Sequence, residues 1–184
     1  MRFESTDLEG VWLITPERIP DERGFFVKTW GEDDFAAQGL AHMVARNMSY
    51  NREQATLRGM HFQQPPHAEA KLVSPLAGVI FDVAIDLRPD SPSYLRWTGR
   101  ELRAEAGQML FIPEGCAHGF VTLAPDTTVE YLISAFYAPQ ASGGIRWNDE
   151  FFGITWPAAP RVISARDGAW PDFEPDRVLA GRPQ

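Results

Sequence analysis

Gly78-Val79-Ile80-Phe81-Asp82-Val83-Ala84-Ile85-Asp86-Leu87 alternates with a period of two. Val79, Phe81, Val83, Ile85 and Leu87 share one face, and Asp82 and Asp86 share the other with Ile80 and Ala84. Side chains of a strand point alternately to opposite faces, so this stretch predicts a strand with its Val/Phe/Ile face in a core and Asp82 on the opposite face. Working outward, Pro89-Asp90-Ser91-Pro92-Ser93 is a turn, and residues 94–98, 108–112, 119–123 and 127–137 read as further strands. Pro113-Glu114-Gly115 bends the chain between two of them. Upstream, residues 10–15 form a β-prone run ending at a connection that carries Pro16 and Pro20. Residues 21–30 read as a turn feeding a strand, and residues 31–39 as a short helix, the longest of the chain, with Glu32, Asp33 and Asp34 at its positive end. Fifteen Gly and fifteen Pro interrupt any long helical period. After Trp147 come Pro157, Pro160, Pro171 and Pro175, which favour irregular chain over helix. The pattern predicts an all-β protein, a jelly-roll β-barrel with a few short helices. Residues 1–184 form a single domain, with a C-terminal tail from about 148 packed over the barrel.

Composition narrows the function. The chain of 184 residues has 44% hydrophobic and 12% aromatic residues, enough for a substantial core. A formal net charge of -8 disfavours nucleic acid or an anionic membrane as the main partner. Cys116 is the single cysteine, so no internal disulfide can form. No basic start joins an apolar run at the N-terminus, and no stretch reaches the roughly 18 apolar residues of a membrane-spanning helix. The expected setting is the cytoplasm.

Thr56-Leu57-Arg58-Gly59-Met60-His61-Phe62-Gln63 is the candidate active-site strand. His61 can accept a proton near neutral pH, although a lone strand histidine can equally be structural. Strict alternation puts Arg58 and His61 on opposite faces, so they share a site only if the strand is bulged, which Gly59 permits. Arg23, beside Gly24, could approach a phosphate or simply be solvated. Lys71 could stabilise a developing anion or stand as a solvated lysine at a strand start. Tyr131 could donate a proton or merely pack. His61, His67, Glu69 and His118 are available to a divalent ion, but there is no His-x-His pair and no Cys/His cluster of zinc type.

Taken together these residues identify a resemblance. Asp21-Glu22-Arg23-Gly24-Phe25-Phe26, Leu57-Arg58-Gly59-Met60-His61-Phe62-Gln63, Lys71-Leu72-Val73, Phe81-Asp82-Val83, Ile112-Pro113-Glu114-Gly115, Ala117-His118-Gly119-Phe120 and Gly144-Ile145-Arg146-Trp147 occur in order. Over residues 10–167 the chain resembles the dTDP-4-dehydrorhamnose 3,5-epimerases, cupin-type jelly rolls acting on nucleotide-linked 4-keto-6-deoxy sugars. The resemblance implies His61 as general base, Asp167 as its orienting partner, Tyr131 as proton donor and Lys71 beside the enolate oxygen. It implies substrate binding by Arg23, Phe26, Arg58 and His118, with Phe136 against the nucleobase. It implies no metal, no cofactor and a homodimer, in which the strand at residues 11–14 joins a partner's sheet. Arg46-Asn47-Met48-Ser49-Tyr50-Asn51 and Lys28 depart from the rhamnose-pathway pattern, and Met60 and Trp170-Pro171-Asp172-Phe173 look more like a sister branch, one that epimerises C3 alone or C5 alone or acts on another nucleotide sugar. A metal-dependent cupin enzyme and a non-catalytic nucleotide-sugar binder are the alternatives.

Overall fold

A computed structural model describes residues 1–174. In chain order it contains β1 Arg2–Ser5, β2 Trp12–Thr15, β3 Arg18–Asp21, β4 Gly24–Val27, α1 Glu32–Ala37, β5 Ala45–Asn51, β6 Thr56–Gln63, β7 Lys71–Ala77 and β8 Val79–Asp86. Then follow β9 Trp97–Arg103, β10 Met109–Ile112, β11 Cys116–Thr122, β12 Thr127–Ile133, β13 Ser142–Gly144, β14 Val162–Ile163 and α2 Ala165–Gly168. One sheet has the order β1-β2-β10-β7-β12-β5 and the other β13-β6-β11-β8-β9, with β14 added alongside β6. β3 and β4 form a separate hairpin. The all-β expectation therefore holds: two sheets face each other around a common interior.

The interior is apolar at one end and polar at the other. Val73, Ile80, Ala84, Leu102, Leu110, Phe120 and Val129 pack between the sheets. On the far side of the first sheet, Phe35 of α1 packs with Ile14, Leu72, Met109 and Phe111. α1 starts where Glu32, Asp33 and Asp34 meet the helix dipole, and among the described residues it is the longest helix.

β8 departs from its expectation in one respect, because both of its faces are buried. Ile80 and Ala84 point into the barrel, while Val83, Ile85 and Leu87, with Phe81 beside them, pack outside against Phe152, Trp156 and Phe173. The chain after β13 runs back across the outer face of the second sheet and supplies a second apolar layer. Each side chain so covered contributes about 1.5–3 kcal/mol. Asp82 and Asp86 are then wholly enclosed, at 0% exposure, and buried carboxylates need partners. Asp86 is held by Arg88, Ser91 and Ser93, and Asp82 by His118. The tail expected from about 148 continues to 184, and its residues 175–184, Pro175 included, lie outside the described residues.

Other differences have local causes. Residues 91–95 are turn, so the strand expected at 94–98 begins only at Trp97. The strand expected over 127–137 ends at Ile133. Pro20 lies inside β3, a place it tolerates because β3 pairs only with β4. The strand at residues 11–14 is not free to join a partner's sheet, since β2 is hydrogen-bonded on one side to β1 and on the other to β10.

Candidate active site

Gly59 decides what β6 presents to the barrel. His118 lies opposite His61 and Phe120 opposite Arg58, so Gly59 and Met60 together face the single residue Gly119. This is a β-bulge. Gly59 has φ 139°, and a Cβ there would lie 2.5 Å from the Gly119 Cα. The two glycines let the backbones close against each other, and the extra residue breaks the alternation. Arg58 and His61 consequently face the same cavity, while Met60 joins the outer apolar layer.

That cavity, of about 340 Å³, is lined by both sheets. Arg58, His61 and His118 come from β6 and β11, whereas Asn47, Ser49, Lys71 and Tyr131 come from β5, β7 and β12. Glu69, Tyr137, Ser142 and Arg166 lie on connecting chain and on the short β13 and α2.

His61 Nε2 is 2.7 Å from Asp167 Oδ1. Asp167 is brought there by two local devices. β14 pairs in parallel with β6, matching Ile163 to Leu57, and the Ser164 side chain then caps α2 by accepting from the Asp167 N–H at 3.0 Å. Asp167 Oδ2 accepts from the Gly59 N–H at 3.3 Å, which ties the carboxylate to the bulge. Burial lowers the His61 pKa; Asp167 opposes that shift, and Lys71 and His118 add to it. With Nε2 directed at Asp167, Nδ1 remains to accept a proton.

A second histidine–carboxylate pair lies beside the first. His118 Nε2 is 2.7 Å from Asp82 Oδ1, both side chains being buried. On the opposite sheet the Tyr131 hydroxyl meets Ser49 Oγ at 2.7 Å, and burial pushes the phenol pKa up, so it keeps its proton. Lys71 donates to the His61 carbonyl at 3.1 Å and pairs with Glu69 at 3.3 Å. Burial lowers its pKa, and Glu69 is the first influence acting against that. Arg58 Nε donates to Asn51 Oδ1 at 2.8 Å, and one terminal nitrogen donates to the Tyr50 carbonyl at 3.4 Å. Among the described residues no three His, Cys, Asp or Glu side chains converge as a metal-binding group.

Six of the nine candidates read from the sequence therefore meet: His61, Tyr131, Lys71, Arg58 and His118 line the cavity and Asp167 backs His61. Three do not. Arg23 and Phe26 lie on the exposed β3–β4 hairpin, where Arg23 pairs with Asp21 at 2.6 Å. Phe136 is 74% exposed and absent from the cavity wall, which Tyr137 lines instead. Sequence reasoning missed Asn47, Ser49, Ser142, Arg166 and Tyr137. Of these Asn47 and Ser49 carried a signal, since Asn47, Ser49 and Asn51 alternate as small polar residues with Arg46, Met48 and Tyr50.

Comparison with known proteins identifies the family. The family model described as dTDP-4-dehydrorhamnose 3,5-epimerase matches residues 5–175. A dTDP-4-dehydrorhamnose 3,5-epimerase of Sinorhizobium fredii is 39% identical over 178 residues, covering 94% of this chain and 90% of that protein. A dTDP-4-dehydrorhamnose 3-epimerase of Streptomyces niveus is 37% identical, covering 91% of this chain and 81% of its own. The crystal structure of the Bacillus anthracis 3,5-epimerase with TDP and PPi bound superposes with a TM-score of 0.90 at 36% identity, covering 94% of this chain and 99% of that one. With matches of that length and a two-sheet barrel that superposes so closely, the chain belongs to the dTDP-4-dehydrorhamnose 3,5-epimerase family.

Proposed function

We propose that this protein epimerises a nucleotide-linked 4-keto-6-deoxy sugar of the dTDP-4-dehydro-6-deoxyglucose type at the carbons flanking the ketone. The observation that supports this reading is a histidine–carboxylate pair, His61 and Asp167, on one wall of the cavity with Tyr131 and Lys71 on the other, Lys71 bonding across to the His61 carbonyl. A hydrogen next to a ketone is only weakly acidic, so its removal needs charge stabilisation on the oxygen as the enolate forms. His61 takes the proton on Nδ1, and Asp167 steadies the imidazolium. Lys71 donates to the enolate oxygen. Tyr131 returns a proton to the opposite face of the carbon, which inverts it. None of these steps calls for a cofactor.

The same reading includes a homodimer of single-domain chains, 1–184, working in the cytoplasm. Ile19, Phe25, Phe26, Met48 and Leu76 expose apolar surface on the hairpin and the outer side of the first sheet, a patch suited to a second copy. A hairpin delivered by that copy is also the route by which Arg23 and Phe26 reach substrate. Among the described residues no helix is long and apolar enough to cross a membrane.

Incubation with dTDP-4-keto-6-deoxyglucose in D2O tests the proposal. NMR should show deuterium entering C3, C5 or both, and His61→Ala should abolish it. Exchange that survives in the variant sinks the base assignment. Binding without exchange by the wild type marks a non-catalytic binder, and activity lost to a chelator marks a metal-dependent enzyme.

A further inference from the structure

Of the 17 Lys and Arg residues only two are lysines, Lys28 and Lys71. Lys28 is exposed and pairs with Asp34. Lys71 is buried at the start of β7, with its ammonium at the cavity. An arginine there would stay charged whatever its surroundings, whereas a buried lysine loses its proton readily unless something holds it.

We propose that Glu69 is the positioning residue of Lys71, holding the ammonium in place over the cavity and in its charged form. Glu69 Oε1 lies 3.3 Å from Lys71 Nζ, and the two side chains are only 12% and 10% exposed. Its other oxygen, Oε2, accepts from the Gln63 amide at 3.1 Å. Gln63 is itself fixed, since its Oε1 accepts from the Ala138 N–H at 2.6 Å and its amide also reaches the carbonyls of His67 and Phe136. The carboxylate is thus clamped by one neighbour and turned toward the other. Lys71 Nζ spends one donor on Glu69 and one on the His61 carbonyl, and its third is left for substrate.

The remaining groups around the ammonium do not replace Glu69. Asp82 of β8 acts on it from further off and is bonded to His118. The Cys116 thiol of β11 is pushed up to about 12 by burial and is neutral. A protonated His61 would oppose the lysine charge, and Tyr131 holds its proton. Glu69 supplies both the largest charge and the hydrogen bond that resist desolvation of Lys71. The proposal rests on the epimerase reading, in which a charged donor must meet the enolate oxygen.

Glu69→Gln keeps the shape but removes the charge, and its one amide oxygen can accept from Gln63 or from Lys71 but not from both. The pH dependence of kcat/KM should keep its acid limb while its alkaline limb moves to lower pH, with about tenfold less activity on the alkaline side. Glu69→Asp should restore part of the loss. Because the chain has two lysines, the ε-carbon NMR signal of Lys71 can be followed directly, with Lys28 as internal control and Lys71→Arg as assignment. It should titrate at lower pH in Glu69→Gln while Lys28 stays put. An unmoved Lys71 titration overturns the proposal, as does a pH-independent loss shared equally by the Gln and Asp variants. If the wild type exchanges no deuterium, the epimerase reading fails, and the Lys71 titration still decides the role of Glu69.

Discussion

Gly59→Ala probes the device that assembles the site. Two costs follow from the structure. An alanine at φ 139° leaves the allowed backbone regions, which costs on the order of 1–3 kcal/mol. Its Cβ also meets the Gly119 Cα at 2.5 Å and the His118 carbonyl at 3.2 Å. Those atoms are backbone in the middle of β11, paired on both sides to β6 and β8, so they cannot give way as a flexible side chain would. Overpacking of this kind typically adds about 1–3 kcal/mol. The sum, about 2–6 kcal/mol, is a large part of a stability of about 5–15 kcal/mol. Urea unfolding followed by tryptophan fluorescence should show a midpoint about 1–3 M lower. The folded fraction should exchange substrate hydrogen poorly, because the Gly59 N–H that holds Asp167 and the turn that aims His61 both move. Gly39→Ala is the control: φ there is 69° with nothing within 4 Å of an added Cβ, so only a backbone cost of about 1–2 kcal/mol applies. A Gly59→Ala variant no less stable than Gly39→Ala, with wild-type exchange, would refute the role given to the bulge.

Two further outcomes follow. Folding holds the His61 pKa below its ordinary 6.5, so the base stays neutral and exchange persists below pH 6.5, failing only as pH drops through the lowered value. Between those two limits the unfolded chain binds the extra proton, so stability also falls with acid there, and a kcat/KM profile whose acid limb lies at or above 6.5 contradicts this. Cys116, buried and pushed up to about 12, should resist a thiol-alkylating reagent in the native protein near pH 8 and react at once in denaturant. Equal rates in the two states would show that the thiol is not enclosed.

Much of the architecture was legible in short-range pattern. The alternation from Val79 to Leu87 announces β8 because period two is a local property of extended backbone. The acidic start of α1 and the turn before β4 are equally local. The alternation placed only the Val/Phe/Ile face of β8 inside. Both faces are buried, since residues some seventy positions away fold back over the outer one. Phase also cannot be carried past the end of a strand: β12 stops at Ile133, the chain turns, and Tyr137 rather than Phe136 comes to line the cavity.

The site divides in the same way. Sequence by itself determined the kinds of group available, a strand histidine beside an arginine and a glycine, a lysine opening a strand, a tyrosine within one, and through their order the family. It also posed the question of whether Arg58 and His61 could share a face, and named Gly59 as the residue able to permit it. Only the tertiary structure decided that they do, through the offset of Gly59 and Met60 against Gly119. The family resemblance had implied Asp167 as the partner of His61, and the tertiary structure shows how groups 106 positions apart in the chain meet, by the pairing of β14 with β6. It alone turned Glu69, which the sequence offered merely as one possible metal donor, toward Lys71. Alternation and turn chemistry act over a few residues, whereas a proton-transfer site depends on distances between side chains of different strands, and those are set by register, bulges and the layer that closes over the barrel.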